Sequence, residues 1–178
     1  MLANSLAVRD AESFLPPVSR PLRVFGNRGA NGIDGTLSTA LGVAASGLPT
    51  ALVTGDLAFL HDVGALFAAR RLGVALDVLV VNDGGGGIFD FLPIADHGPA
   101  VHFEETFRLA HDAGLAPIAR GFGARAAQVD DVEALRAGLA EAASGVRVFE
   151  LRIAPERNAA LHRRAFAAVA RAIAGSGS

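Results

Sequence analysis

The sequence contains no cysteine, tryptophan or tyrosine. Without cysteine the chain cannot form a disulfide, a zinc–thiolate site or a cysteine nucleophile. A net charge of −2 and the missing aromatic types argue against a nucleic-acid partner, because such surfaces are basic and stack bases on aromatic rings. No run reaches the roughly 18 apolar residues of a membrane span, so no membrane partner is expected. These absences favour a cytoplasmic protein that acts on small molecules.

The remaining sequence alternates short apolar runs with amphipathic stretches. Leu76–Val81 is a largely apolar run typical of a strand covered on both faces, and Ala51–Val53 and Val146–Ile153 are further strand candidates. The stretches between them predict a three-layer α/β/α domain with a mainly parallel sheet. We place this domain at residues 1–174 and expect a disordered tail at 175–178.

Amphipathic spacing predicts helices at five places, namely 36–45, 57–72, 103–113, 132–143 and 158–174. Asp130 and Asp131 are both candidates for the N-cap of the fourth helix. Val24–Phe25 is expected to form a short strand or extended entry, and Ile118–Phe122 a weak edge or turn. Phe91–His102 is expected to be an irregular loop.

Two acidic turns follow predicted strands. Asp56 lies in the first, and Asp83, in the turn Asn82–Gly87, comes 27 positions later, about one strand–helix–strand unit. Because parallel strands end at the same edge of a sheet, we expect both carboxylates at one edge. Carboxylates beside a glycine-rich backbone suit Mg²⁺ (or Mn²⁺) bound to a diphosphate. One such aspartate could simply cap a helix, but two at neighbouring strand ends favour a metal site.

A second glycine-rich segment leaves another interpretation open. Gly26–Gly32 has glycines in the spacing GxxGxxG and could imitate a dinucleotide-binding turn, with Asp56 as the acid that binds the ribose. The spacing differs from GxGxxG, and this interpretation leaves the turn at Asp83 unexplained. A dinucleotide-binding oxidoreductase domain is therefore the weaker alternative, and a non-catalytic oligomerisation module is a third.

Taken together, the motifs resemble the diphosphate-binding domain of thiamine diphosphate enzymes. Their signature is Gly-Asp followed, one strand–helix–strand unit later, by an Asn-rich turn, which Gly55–Asp56 and Asn82–Asp83 match. Within these enzymes the chain is most similar to the SEPHCHC synthases of menaquinone biosynthesis. The similarity lies in four ordered blocks, Asn4–Asp10, Asn27–Gly35, Gly55–Asp62 and Val80–Phe89.

The resemblance implies thiamine diphosphate and Mg²⁺ as cofactors. Asp56, Asp83 and the carbonyl of Gly85 would hold the metal ion. Ile33 would lie under the cofactor and force its bent shape, although the position also suits an ordinary core residue at a helix entry. The residues implied to contact the cofactor are Gly32, Ile33, Gly55, Asp56, Leu57, Ala58, Asp83, Gly85, Gly86 and Ile88.

The resemblance also implies a transferase that decarboxylates 2-oxoglutarate and adds the succinyl carbanion to isochorismate. Both substrates carry two carboxylates, which suits the planar guanidinium fork of arginine. The residues implied to contact substrates are Ser5, Arg9, Arg28, Ile88, Phe89 and Leu92. Asn31 and Ala58 depart from the family, which often has serine at these positions. Another thiamine diphosphate decarboxylase or synthase stays open as an alternative.

No catalytic residue is expected within this chain. In the family the glutamate that activates the cofactor lies in a separate pyrimidine-binding domain, and the sequence shows no counterpart. Met1–Ala3 resembles the end of a buried strand. We therefore expect a C-terminal fragment that is inactive alone, is completed by N-terminal domains and assembles as a homodimer.

Overall fold

The computed structural model describes residues 1–19, 21–29, 32–142 and 144–175. They divide into two units, which we call the sheet unit (Met1–Asn82 with Asp112–Arg152) and the turn unit (Asp83–His111 with the chain from Ile153). Within the described ranges, every helix is too short or too polar to cross a lipid bilayer.

The elements of the sheet unit, in chain order, are α1 (Leu6–Phe14), α2 (Thr36–Ala45), β1 (Ala51–Gly55), α3 (Asp56–His61), α4 (Ala65–Leu72), β2 (Leu76–Asn82), α6 (Leu115–Gly121), β3 (Arg125–Val129), α7 (Val132–Ala140) and β4 (Val146–Arg152). The turn unit contains two 3₁₀ helices, Gly87–Phe91 and Pro93–Val101, followed by α5 (Phe103–Thr106) and α8 (Pro155–Gly175).

All four strands are parallel and lie in the order β1-β2-β4-β3. In β2, fully buried residues alternate with half-buried ones, which explains why the predicted strand has apolar residues on both faces. The largest buried apolar side chains of the core come from the sheet and from α2, α3, α4 and α6: Leu37, Leu41, Leu52, Phe59, Leu66, Leu76, Leu115, Val78, Val80 and Val148. The predicted α/β fold with a parallel sheet is confirmed.

The first three residues extend the sheet beside β1. Leu2 forms a parallel bridge with Val53, and the N–H of Ala3 donates to the carbonyl of Val53 at 2.9 Å. The strand-like character predicted for Met1–Ala3 is therefore confirmed. At the other end Gly175 is the last residue of α8, and Ser176–Ser178 lie outside the described residues, so the predicted tail stays a prediction.

The prediction of one continuous helix at 57–72 is wrong. The structure has α3 and α4, separated by a turn at Asp62–Gly64. The carboxylate of Asp62 accepts hydrogen bonds from the backbone N–H (2.6 Å) and hydroxyl (2.9 Å) of Ser38 in α2. This contact joins Asp62, at the turn between the two helices, to a residue 24 positions away in the sequence. The apolar periodicity of residues 57–72 carries no information about such a distant contact.

Other local predictions also need correction. Residues 103–113 are helical only in α5, because the chain beyond it extends along the turn Asp83–Gly87, where the N–H of His111 donates to the carbonyl of Gly84 at 2.9 Å. The predicted edge at 118–122 is instead the end of the partly buried helix α6, with Phe122 as its C-cap. Helix α1 and strand β3 were not predicted. Val24–Phe25 is an extended entry and not a strand.

Helix α7 is capped by Asp131 and not by Asp130. The side chain of Asp131 accepts a hydrogen bond from the N–H of Ala134 at 2.8 Å. This bond satisfies a backbone donor of the first turn that has no partner within the helix.

We expect Asp131→Ala to lower the free energy of unfolding by about 1 kcal/mol, the usual loss for an N-cap. Asp130→Ala removes the same charge from the neighbouring residue and serves as the control, with an expected change below about 0.5 kcal/mol. Urea denaturation followed by circular dichroism measures both. Equal losses in the two variants would contradict the cap assignment.

Candidate cofactor-binding site

Asp56 begins α3 directly after β1. It is only 4% exposed, and its Oδ1 accepts the backbone N–H of Leu57 at 2.6 Å. In the register of the sheet Gly55 is paired with Val81, so β1 and β2 end at the same edge. Asp83 follows β2 directly in the sequence, as the prediction requires. That the two carboxylates bind one metal ion stays a prediction.

The segment Asp83–Gly87, which we call the glycine turn, has a backbone that only glycine adopts easily. Gly84–Gly86 have φ angles of 77°, 98° and 70°, all in the left-handed region. The Oδ1 of Asp83 accepts the N–H groups of Gly85 (3.2 Å) and Gly87 (3.3 Å). A Cβ atom at Gly85 would overlap the carbonyl of Leu109. The glycines therefore allow a close backbone approach, as predicted for a loop that cradles phosphate.

Arg108 is a neighbour of the glycine turn that the sequence analysis missed. Its Nε donates to the carbonyl of Gly85 at 2.8 Å, the oxygen that we predicted as a metal ligand. Nearby, the rings of Phe89 and Phe107 meet edge to face at 5.8 Å. No motif in the sequence indicated that Arg108 contacts the glycine turn, because a lone arginine between apolar residues is usually a surface charge.

Asn4 organises the predicted substrate side of the sheet unit and was also missed. It is 5% exposed, and its Nδ2 donates to the carbonyls of Asn27 (2.8 Å) and Gly32 (2.6 Å). Its Oδ1 accepts a hydrogen bond from a guanidinium nitrogen of Arg28 at 2.8 Å. Its place in the first matched block was the only hint in the sequence.

Ser5 follows Asn4 directly, and Arg9 lies near the start of α1. Ser5 has φ 71° and ψ −135°, a strained conformation for a residue with a Cβ, and such strain concentrates at functional sites. A guanidinium nitrogen of Arg9 donates to the carbonyl of Ser5 at 2.9 Å. Through Asn4 the structure thus brings Ser5, Arg9 and Arg28 into one polar cluster. Asn31 lies outside the described residues.

The other predicted site residues lie in both units. Those of the sheet unit are buried or half-buried: Ile33, Leu57 and Ala58. In the turn unit Ile88 and Phe89 are half-buried, whereas Leu92 is 44% exposed. Their contacts with cofactor or substrate stay predictions.

Glu150 fixes the residue that precedes the glycine turn. It is fully buried in β4, and its Oε1 accepts the side-chain amide of Asn82 at 2.8 Å. Burial raises the pKa of this carboxyl, but the N–H of Ala116, the amide of Asn82 and the guanidinium of Arg152 together hold the pKa below its ordinary value. Glu150 is therefore ionised at neutral pH and holds Asn82 at the end of β2.

The donor chemistry fits a hard cation that shares its ligands with a diphosphate. Asp56 and Asp83 offer carboxylate oxygens, which Mg²⁺ prefers. Among the described residues, no group of three or more histidine, aspartate or glutamate side chains is placed to hold a metal ion. A cation bound by either carboxylate would take its other ligands from backbone, phosphate and water, which is usual for Mg²⁺.

The structure does not favour the dinucleotide alternative. That interpretation needs a strand directly before Gly26, and within residues 21–29 the structure has none. The dinucleotide interpretation also leaves the glycine turn unexplained. That turn has an ordered backbone and directly follows the central strand β2.

Comparison with known proteins places the chain in a family. Residues 9–151 match the model of the thiamine pyrophosphate enzyme C-terminal TPP binding domain. A 2-succinyl-5-enolpyruvyl-6-hydroxy-3-cyclohexene-1-carboxylate (SEPHCHC) synthase from Myxococcus xanthus is 46% identical over 171 residues, covering 95% of this chain and 29% of the relative. The synthase of the same name from Geobacillus kaustophilus is 40% identical over 175 residues, covering 97% and 30%.

A solved structure shows the same fold. Benzoylformate decarboxylase from Polynucleobacter necessarius aligns with a TM-score of 0.65 at 15% identity, over 86% of this chain and 30% of that one.

The chain spans about 30% of the length of the curated relatives that it matches. The predicted resemblance is confirmed: this chain belongs to the thiamine pyrophosphate enzyme family and is its C-terminal, cofactor-binding domain.

Proposed function

We propose that this domain supplies the diphosphate- and Mg²⁺-binding half of a synthase that decarboxylates 2-oxoglutarate and adds the succinyl group to isochorismate. The observation that carries the proposal is the 46% identity, over 95% of the chain, to a relative named for the product of that reaction. Bound thiamine diphosphate supplies the nucleophilic carbon and the electron sink for decarboxylation of the 2-oxo acid, and the protein binds and orients it.

The metal side of the site would be formed by Asp56, Asp83 and the carbonyl of Gly85. Their oxygens would hold Mg²⁺ against the diphosphate and offset its negative charge. The left-handed glycines of the turn would let its backbone approach phosphate oxygens closely, since they carry no Cβ atom. The carboxylate of Asp83 carries a full negative charge and so favours the cation further.

The substrate side would be formed by the cluster around Asn4. Arg9 and Arg28 are exposed, and their guanidinium groups would pair with substrate carboxylates. The hydrogen bond from Arg28 to Asn4 fixes the orientation of that guanidinium before substrate arrives. Ile88, Phe89 and Leu92 would form the apolar wall of the pocket.

The site would be completed by further domains of a cytoplasmic homodimer. The support is that the curated relatives are more than three times as long as the matched segment, which covers 27–30% of them. Helix α8 also exposes four large apolar side chains, as surfaces that contact other proteins do: Leu161, Phe166, Val169 and Ile173.

An assay of product formation from 2-oxoglutarate and isochorismate tests the proposal. The 178-residue chain alone is expected to give background rates, because its matched residues 9–151 correspond only to the C-terminal TPP binding domain of the family. Mixing it with the N-terminal region of the Myxococcus xanthus relative is expected to restore turnover. Turnover by the chain alone would contradict its role as half of a site. Restored decarboxylation of other 2-oxo acids, with none of 2-oxoglutarate, would favour a different thiamine diphosphate enzyme.

A further inference from the structure

Arg108 connects the glycine turn to an acidic residue of the first 3₁₀ helix. Its Nε donates to the carbonyl of Gly85 at 2.8 Å, and a terminal nitrogen lies 3.5 Å from the carbonyl of Asp83. The other terminal nitrogen contacts both carboxylate oxygens of Asp90, at 3.0 and 2.8 Å. The side chains of Arg108 and Asp90 are only 9% and 19% exposed, so water screens this ion pair weakly.

Asp90 is itself held in place from α8. A guanidinium nitrogen of Arg163 donates to the backbone carbonyl of Asp90 at 2.9 Å. The guanidinium group of Arg108 is thus held by the side chain of Asp90, a residue whose backbone is itself hydrogen-bonded to Arg163. This arrangement makes Arg108 a rigid tether for the glycine turn.

The glycine turn needs such a tether more than most loops. Glycine loses more conformational entropy on ordering than any other residue, and the turn contains four in succession. The orientation of one peptide plane decides where the carbonyl of Gly85 points. A carbonyl oxygen has two lone pairs, so a hydrogen bond from one donor does not by itself exclude a second partner.

We infer that Arg108 is a positioning residue, which holds the carbonyl of Gly85 in place before the diphosphate and metal ion bind. Its consequence for metal affinity rests on the proposed function, but its effect on the turn itself does not. Removing the tether would let the turn sample many backbone conformations, and binding would then have to order it again.

Amide hydrogen exchange of the ligand-free chain tests the tether directly. In Arg108→Gln we expect the amides of Gly85–Gly87 to exchange about tenfold faster, which is the effect of losing one charge-assisted hydrogen bond. Arg136→Gln is the control, since it removes the same charge from an exposed residue of α7 in the sheet unit, outside the turn unit. It should change these amides less than about twofold. Unchanged exchange at Gly85–Gly87 in folded Arg108→Gln would overturn the inference.

Magnesium titration at fixed thiamine diphosphate, followed by calorimetry, tests the consequence for the site. The half-saturating Mg²⁺ concentration is expected to rise about tenfold in Arg108→Gln, and to stay raised in Arg108→Lys, which keeps the charge but loses the fork. Should Arg108→Gln not fold, Asp90→Asn breaks the same pair from the other side and should speed exchange in the turn. A parent that fails to bind Mg²⁺ while exchange still rises in Arg108→Gln would contradict the proposed metal site of this chain and support the tether.

Discussion

A chain carrying Asp56→Ala and Asp83→Ala together is expected to bind thiamine diphosphate in the presence of Mg²⁺ at least about 100-fold more weakly than the parent. In the proposed site each substitution would remove a carboxylate ligand from a divalent cation, and we take about 1.5–3 kcal/mol for each contact, the usual contribution of a hydrogen bond to a charged group. Since about 1.4 kcal/mol corresponds to a factor of ten, losing both reaches two orders of magnitude. Isothermal titration calorimetry with and without Mg²⁺ measures the difference.

The control removes the same number of charges elsewhere. Asp96→Ala with Asp130→Ala changes two exposed aspartates outside both turns and should leave the affinity within about threefold. Asp83→Asn keeps an oxygen ligand and is expected to bind within about tenfold of the parent. If the Asp56→Ala/Asp83→Ala chain is folded and binds as tightly as the parent, the two acidic turns do not share a metal ion.

The sequence predicted the parts of the fold that depend on local pattern. Helix α2 was predicted at Thr36–Ala45, and the structure has the same limits. The central strand β2 was predicted within one residue, because a run buried on both faces has few other interpretations. The two acidic turns were found for the same reason, since each directly follows such a strand.

Residues that depend on distant contacts could not be predicted. Asp62 interrupts a helix by bonding to Ser38, and Asn4 and Arg108 obtain their roles from carbonyl groups 23 to 28 positions away. Helix α6 was mistaken for an edge because its seven residues are too few for a period. Its start is set by a side chain of β4, the carboxylate of Glu150.

Replacing Glu150 by alanine is expected to lower the free energy of unfolding by about 3–5 kcal/mol, the usual cost of removing one member of a buried charged network. Its Oε2 accepts the N–H groups of Leu115 (2.9 Å) and Ala116 (2.8 Å), the first two residues of α6. Its Oε1 accepts from Asn82 and from Arg152, at 2.8 and 3.0 Å. Alanine leaves the buried N–H groups of Leu115 and Ala116 and the buried amide of Asn82 without this acceptor. Urea denaturation at pH 7 measures the loss.

Glu150→Gln separates the charge from the shape. The NH₂ group of the glutamine would face the two donors that bond to one of the carboxylate oxygens in the parent. We therefore expect the free energy of unfolding to fall by about 1–3 kcal/mol at pH 7. The exposed residue Glu133 provides the control, and Glu133→Gln should change stability by less than about 0.5 kcal/mol.

The pH dependence follows from the lowered pKa of Glu150. Because the folded-state pKa lies below the ordinary value of 4.5, the carboxylate stabilises the fold fully above about pH 4.5 and loses this effect as the pH falls towards the folded-state pKa. The stability difference between parent and Glu150→Gln should therefore be largest at pH 7 and shrink below about pH 4.5. A difference that stays constant from pH 7 to pH 3.5 would mean that Glu150 supports α6 and Asn82 by shape and not by charge.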